Sequence, residues 1–173
     1  MSTVIHPFPP LFDENSEILI LGSFPSVRSR EEQFFYGHPN NRFWKVVSAV
    51  FGENTPQTTE EKKAFLLRNK IALWDVIASC EITRSDDSSI KNVVVNDISV
   101  ILEKSAVRKI YVNGKTSEKY YNKYLKEKTD ISAICLPSTS PANAVWTLEK
   151  LQEEWKRNIL TESISDKEVP QEG

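Results

Sequence analysis

Residues 34–44 contain the densest group of side chains that could do chemistry, reading Phe-Phe-Tyr-Gly-His-Pro-Asn-Asn-Arg-Phe-Trp. We expect this stretch to be a loop with exposed aromatic rings, and Tyr36 could stack on a flat base extruded from nucleic acid. Asn41 stands where a helix begins, so its amide could cap the helix or orient a water molecule. His38 is better explained as a hydrogen-bonding residue that stabilises the loop than as an acid or a base.

Two further segments combine small residues with a stiff backbone. Residues 136–143, Leu-Pro-Ser-Thr-Ser-Pro-Ala-Asn, place Ser138, Thr139 and Ser140 between two prolines. Backbone N–H groups and hydroxyls there could hold a phosphate or press into a duplex groove, although a stiff helix start explains the segment better on its own. Residues 22–26 form a rigid turn in which Gly22, without a side chain, lets a ligand approach the backbone.

These segments follow short runs that are apolar on both faces, as strands of a covered parallel sheet are. Helical patterns lie between the runs. Thr58 and Glu61 form a capping box, and Pro141 is expected to open a long helix that carries Val145 and Trp155 on one face. The fold class predicted is therefore a three-layer α/β/α sandwich with a central parallel sheet of about four strands. The four runs are residues 18–21, 71–74, 110–112 and 133–136.

Each of the four runs ends in residues that suit a binding site better than a core. Ligands of open α/β sheets bind outside the carboxyl ends of the strands. Turns favour the same residue types, which is enough to explain any one ending. Together with the loops, however, all four favour a single cleft. The endings are Gly22-Ser23, Trp74-Asp75, Asn113-Gly114 and Pro137-Ser138.

The composition sets limits on the class of protein. The 173 residues suffice for one domain, which we expect to span residues 1–160, with a disordered polar tail at 161–173. We expect no signal peptide and no membrane span, because no apolar run is long enough. A net charge of −2 excludes a basic field over the whole molecule. Cys80 and Cys135 are expected to be buried free thiols of a cytoplasmic protein, and two Cys with two His cannot alone complete a four-ligand metal site.

Five motifs in this order resemble the uracil-DNA glycosylase superfamily, and within it the hypoxanthine (deoxyinosine) DNA glycosylases. The resemblance extends over roughly residues 15–157, and the order of all five is more specific than any one of them. The motifs are Gly-Ser-Phe-Pro-Ser, Tyr-Gly-His-Pro-Asn-Asn-Arg-Phe-Trp, Leu-Trp-Asp-Val, Asn-Gly-Lys and Leu-Pro-Ser-Thr-Ser-Pro-Ala-Asn.

The resemblance implies a role for most of the candidate site residues. Members specific for uracil or mismatched thymine carry Asn or Asp just before the proline of the first motif, where this chain has Phe24. The catalytic amide that places the water is then Asn41, as in the hypoxanthine branch. The resemblance further implies that Tyr36 stacks on the base, that Asn113 reads its edge beside Gly22 and Ser23, and that the loop of Ser138, Thr139 and Ser140 enters the duplex. Asp87 belongs to another recurring stretch and fits a helix cap as well as catalysis.

The function expected from these residues is hydrolysis of the N-glycosidic bond of hypoxanthine in DNA, leaving an abasic site, without metal or organic cofactor. We expect a monomer in the cytoplasm, or at the nucleoid in a prokaryote, that contacts DNA through basic residues. A mismatch-specific uracil glycosylase and a non-catalytic nucleotide- or DNA-binding module remain as alternatives. A serine hydrolase is disfavoured because no Gly-x-Ser-x-Gly motif is present. The basic residues expected to contact DNA are Arg28, Arg30, Lys45, Lys115 and Lys119.

Overall fold

A four-stranded parallel sheet occupies the centre of the molecule, and a three-stranded antiparallel sheet lies beside it. The computed structural model describes residues 3–83 and 86–172, and of residues 87 and 161–172 it describes the backbone only. The strands are β1 (Thr3–Ile5), β2 (Ile18–Gly22), β3 (Ile71–Asp75), β4 (Ile77–Glu81), β5 (Lys91–Val95), β6 (Lys109–Asn113) and β7 (Ala133–Leu136). The helices are α1 (Val27–Glu32), α2 (Phe43–Val50), α3 (Thr59–Arg68), α4 (Ser99–Lys104), α5 (Lys115–Tyr124), α6 (Lys126–Thr129) and α7 (Leu148–Glu172), with a 3-10 turn at Asp87–Ser89.

The parallel sheet has the strand order β3-β2-β6-β7, so the predicted sheet of four parallel strands is confirmed. From β2 the chain passes to β3 on one side and later to β6 on the other, and such a switch point opens a crevice at the carboxyl ends of the strands. The pairing register places Gly22 beside Asp75 there, and Asn113 beside Leu136. These strand ends therefore provide the frame of a site.

Side chains alternate between the two faces of the parallel sheet, and each face has its own apolar core. Ile20, Leu73 and Tyr111 point to the face covered by α2, α3 and α7. Leu21 and Val112 point to the opposite face, which α4, α5 and the antiparallel sheet cover. Because both faces are buried, the strands are continuously apolar instead of alternating. The layered α/β/α architecture is thus confirmed.

The antiparallel sheet β1-β4-β5 was not expected from the sequence. The N-terminal strand β1 pairs with β4, so that Thr3 lies opposite Glu81 and Ile5 opposite Ser79. The pairing brings His6 and Phe8 against the central sheet, since the His6 N–H donates to the carbonyl of Ala78. Phe8 of the N-terminal segment is therefore part of the core, while Ile5 stays exposed.

One helix prediction is confirmed and two differ from the structure. Thr58 and Glu61 form the expected reciprocal capping box of α3. The spacing of Tyr120, Tyr121 and Leu125 predicts one helix over 116–128, but the structure divides this stretch at Leu125, a buried residue whose φ of −117° leaves the regular helix. Pro141 does not open a helix: residues 141–146 form turns, α7 begins at Leu148, and Val145 is 82% exposed.

The physical reason for the turns at 141–146 is a long-range clamp. The Arg42 guanidinium donates to the backbone carbonyls of Thr139, Ser140, Asn143 and Trp146. Two of these carbonyls also close turns within the segment, because Ser140 O accepts the Asn143 N–H and Asn143 O accepts the Trp146 N–H, so the clamp holds the segment as a run of turns. The backbone of α7 continues through residue 172, into the range for which disorder is predicted. Side chains of that range lie outside the described residues, and the domain limit at residue 160 remains a prediction.

Candidate active site

A cavity of about 410 Å³ opens at the carboxyl ends of the parallel strands. Its volume lies in the range usual for small-molecule sites. The walls come from the segments after β2, β3, β6 and β7 and from the loop before α2, as the strand endings predict. Its lining includes Gly22, Ser23, Phe24, Tyr36, His38, Asn41, Asp75, Asp86, Asn113, Ser138, Thr139 and Ser140.

Four polar side chains form one hydrogen-bonded chain along the cavity. The Thr139 hydroxyl donates to Asn41 Oδ1 at 2.8 Å. Asn113 Nδ2 donates to Thr139 Oγ1 at 3.0 Å and to the Tyr36 hydroxyl at 3.3 Å. The Thr139 backbone N–H returns a bond to Asn113 Oδ1 at 3.1 Å. The structure thus brings Tyr36, Asn41 and Asn113, which lie far apart in the sequence, into contact with one cavity.

Asn41 is held at the start of α2. Its Oδ1 accepts the Phe43 backbone N–H at 2.9 Å in addition to the Thr139 hydroxyl, so two donors fix the amide with its oxygen toward the helix. Arg42 occupies the N-cap position of α2, and Asn41, one residue before it, satisfies the free N–H of Phe43 at the helix start. This bond and a place in the cavity are therefore compatible in one side chain.

The backbone of Tyr36 adopts a left-handed conformation, with φ of 52°, that few non-glycine residues adopt. Its ring stacks on Phe43 with centroids 4.0 Å apart and an angle of 13° between the planes. Burial, and next the negative charge of Asp75, raise the pKa of the Tyr36 phenol well above its ordinary value. The hydroxyl therefore stays protonated at physiological pH.

The other aromatic residues of 34–44 do not face solvent, contrary to the expectation from the sequence. Phe34, Phe35, Phe43 and Trp44 are at most 6% exposed. Phe8 from the N-terminal segment packs edge-on against Phe35 at 4.7 Å, so a distant segment supplies the packing that the local sequence does not reveal. His38 lines the cavity, and its Nδ1 accepts the Asn40 backbone N–H, as expected of a loop-stabilising residue.

Asp75 and His6 form a buried pair that the sequence did not single out. Asp75 Oδ2 lies 2.7 Å from His6 Nε2, and the two side chains are 5% and 3% exposed. The strand ending at Asp75 was a signal for the carboxylate. No local signal marked His6, which lies 69 residues away.

The burial and contacts of the remaining predicted site residues decide which of them can face a ligand. Phe24 is buried, and its ring faces the His6 ring at 6.0 Å, so it forms an apolar wall and cannot hold water. Thr139 was expected to enter the duplex groove, but its side chain is fully buried and therefore lies inside the site. Lys115 is exposed at the start of α5. The side chain of Asp87 lies outside the described residues.

The basic residues expected to contact DNA have varied surroundings. Arg28 pairs with Glu32 at 2.6 Å, and Arg30 lies over the Phe24 ring at 5.5 Å. The Lys119 ammonium lies 5.2 Å from the Tyr120 ring centroid, and Lys45 is exposed. Among the side chains that the structure describes, those of residues 3–83, 86 and 88–160, no three potential ligands cluster as a metal site would require. No helix in the described part of the chain is long and apolar enough to span a bilayer.

The chain is similar in sequence to proteins that already have a name. Two proteins named hypoxanthine DNA glycosylase are each 38% identical to the chain. The one from Methanosarcina acetivorans matches over 86% of this chain and 94% of its own length, and the one from Methanosarcina barkeri over 65% and 73%.

A solved structure and a family model agree with these matches. The solution structure of an M. acetivorans protein, studied as a uracil DNA glycosylase, superposes with a TM-score of 0.76 at 37% identity. The match covers 88% of this chain and 95% of the other. Residues 9–162 match the model of the uracil DNA glycosylase superfamily. The chain therefore belongs to the uracil DNA glycosylase superfamily.

Proposed function

We propose that this protein is a DNA glycosylase that extrudes hypoxanthine from the duplex and hydrolyses its N-glycosidic bond, leaving an abasic site. The observation that carries the proposal is that Tyr36 and Asn41 line one cavity at the strand ends, joined through Asn113 and Thr139. The two Methanosarcina relatives named hypoxanthine DNA glycosylase support the choice of this base. Such an enzyme acts where DNA is, in the cytoplasm or at the nucleoid of a prokaryote.

The extruded base would stack on Tyr36. One face of the Tyr36 ring is covered by Phe43, so the base takes the face that borders the cavity. Stacking of a base on an aromatic side chain contributes about 1–3 kcal/mol. Because the ring is already fixed by Phe43 and by the bond from Asn113, little conformational freedom is lost when the base binds.

The water that attacks the sugar would be placed by Asn41. The Thr139 hydroxyl and the Phe43 N–H fix the plane of the amide through Oδ1, and Asn41 Nδ2, which has no hydrogen-bond partner among the described residues, is the group that would hold the water molecule. A neutral amide orients water without serving as a strong base. That is sufficient where the sugar passes through an oxocarbenium-like state and the nucleophile needs placement more than activation.

The leaving base would be held by the walls of the cavity. The backbone of Gly22 and Ser23 lines the cavity and would contact the leaving base, and the Phe24 ring forms an apolar wall of the same cavity. Preorganised dipoles at the place where charge develops stabilise the transition state most effectively. Ser138 and Ser140, which line the cavity, and the exposed Lys115 at the start of α5 would make the phosphate and groove contacts. Pro141 and Ala142 are exposed beside the cavity.

The test of this function is base release from defined duplexes. Oligonucleotides that carry hypoxanthine, uracil, xanthine or mispaired thymine at one position are incubated with the protein, and abasic sites are cut with alkali. We expect strand cleavage at hypoxanthine, exceeding that at uracil. Binding without an abasic product from any of the four would contradict the proposal and favour a non-catalytic DNA-binding module.

A further inference from the structure

Among the described residues that line the cavity, His38 is the one side chain that can carry a positive charge. The same lining contains the carboxyl groups of Asp75 and Asp86 but no lysine or arginine. Hydrogen bonds from the hydroxyl and the backbone N–H of Ser88 lower the pKa of the Asp86 carboxyl, so Asp86 is ionised at physiological pH. Its charge opposes the entry of a nucleotide, which brings a phosphate on each side of its sugar. A donor on the cavity wall would offset this repulsion.

The two ring nitrogens of His38 have different surroundings. Nδ1 accepts the Asn40 backbone N–H at 3.1 Å, so a neutral ring carries its proton at Nε2. Nε2 has no hydrogen-bond partner among the described residues. His38 is partly exposed, and the next two residues, Pro39 and Asn40, are exposed, so the ring lies near the rim of the cavity. The sugar and the phosphates of an extruded nucleotide pass this rim, because the base enters the cavity first.

Backbone donors of the loop after β7 are already in use, although the sequence offered them for a phosphate. The Thr139 N–H is donated to Asn113 Oδ1 at 3.1 Å. The Ser140 N–H is donated to the Ser138 hydroxyl, and the Ala142 N–H to the Ser140 hydroxyl, both at 3.1 Å. A phosphate contact from this loop therefore depends on hydroxyl groups. The loop before α2, which carries His38, supplies the N–H donor that the loop after β7 lacks.

We propose that His38 Nε2 donates a hydrogen bond to a phosphate that flanks the extruded nucleotide. The inference rests on the proposed function. Hydrogen bonds to phosphate are charge-assisted, and phosphate contacts fix the register of a protein on DNA without reading its sequence. The bond would hold the extruded nucleotide by its backbone while Tyr36 stacks on its base and Asn41 places the water. One ring nitrogen of His38 thus stabilises the loop, and the other binds the substrate.

Two substitutions separate the roles of the two ring nitrogens. His38→Asn places an amide oxygen near the position of Nδ1, so it keeps the bond from Asn40 and removes the Nε2 donor. His38→Gln places an amide N–H near the position of Nε2 and loses the bond from Asn40. The readout is the affinity for a duplex with an uncleavable deoxyinosine analogue, measured by fluorescence anisotropy. We expect His38→Asn to bind about tenfold more weakly than wild type, as loss of a hydrogen bond to a charged group implies, and His38→Gln to recover most of that affinity.

Neutral phosphate analogues locate the contact. In one set of duplexes a methylphosphonate replaces the phosphate on either side of the deoxyinosine analogue, and in a control duplex it replaces a phosphate far from the analogue. We expect one of the two flanking replacements to weaken wild-type binding about tenfold, and to weaken His38→Asn binding much less, since its contact is already lost. The distant replacement should affect both proteins equally. Thermal unfolding of each variant shows that it is folded.

Three results would overturn the inference alone. The first is wild-type affinity in His38→Asn, and the second is weakening in His38→Gln as large as that in His38→Asn, which would assign the effect to the loop. The third is a flanking methylphosphonate that weakens wild type and His38→Asn equally, or weakens neither, at both positions, which would place His38 away from the phosphates. These affinities do not depend on turnover, so a protein that binds the analogue but releases no base would contradict the proposed function and leave the phosphate contact measurable.

Discussion

The Thr139 hydroxyl donates to Asn41 Oδ1 across 2.8 Å and joins segments 98 residues apart. Thr139 is fully buried and also accepts from Asn113, so it connects the two amides of the site. Replacement by Val keeps the shape and removes both bonds. We expect Thr139→Val to lower the rate of hypoxanthine release at least about tenfold, since a lost buried bond costs about 1–3 kcal/mol. Thr139→Ser keeps the hydroxyl and serves as the control. Equal activity of the Val and Ser variants would contradict the connecting role.

Tyr36 contributes a ring and a hydroxyl that can be tested separately. We expect Tyr36→Ala to weaken binding of a duplex with an uncleavable extruded-base analogue by about 1–3 kcal/mol, because stacking is lost. Tyr36→Phe keeps the stack on Phe43 and loses only the bond from Asn113, so its affinity should stay closer to wild type. Titration by fluorescence anisotropy measures both. Equal losses in Ala and Phe would assign the effect to the hydroxyl and contradict stacking.

Arg42 clamps the loop before α7 through four backbone carbonyls. A Lys ammonium cannot reproduce the planar fork of a guanidinium. We expect Arg42→Lys to lower the free energy of unfolding by about 1–3 kcal/mol in urea titrations and to raise the KM for DNA. Arg68→Lys is the control, because Arg68 pairs with Glu53 at the surface and should change stability by less than about 1 kcal/mol. Similar losses in both variants would refute the clamp.

Cys135 should be a slow nucleophile. Burial, and next the charge of Glu118, raise the pKa of its thiol to about 11. The raised pKa favours the protonated thiol, so at pH 8 the thiolate fraction is about a hundredth of that in an unstructured peptide. We expect iodoacetamide to alkylate Cys135 about 100-fold more slowly in the native protein than after denaturation, as followed by mass spectrometry. Rapid native labelling at pH 8 would contradict this environment.

The sequence was sufficient to predict those elements of the fold that a local residue pattern determines. The four strands are continuously apolar because both faces of the sheet are covered, and the Thr58–Glu61 capping box is a contact between near neighbours. The strand endings also indicated the cavity, since parallel strands must bring their carboxyl ends to one edge.

The features that the sequence did not predict depend on contacts between segments that are distant along the chain. The turns after Pro141 depend on Arg42, about a hundred residues earlier, which no local propensity reveals. The aromatic residues of 34–44 look exposed until the N-terminal segment is placed against them. The His6–Asp75 pair depends on β1 joining β4, a pairing of a three-residue strand with no pattern of its own.

The central claim is that Asn41 places the attacking water. The measurement is the single-turnover rate of hypoxanthine release from a duplex by wild type, Asn41→Ala and Asn40→Ala, with thermal unfolding recorded to show that each protein is folded. Asn40 is the exposed neighbour of Asn41 and is the matched control. We predict a fall of at least about 100-fold for Asn41→Ala, as for loss of a key preorganised contact, and no change for Asn40→Ala. A folded Asn41→Ala protein that releases hypoxanthine at the wild-type rate would contradict the account.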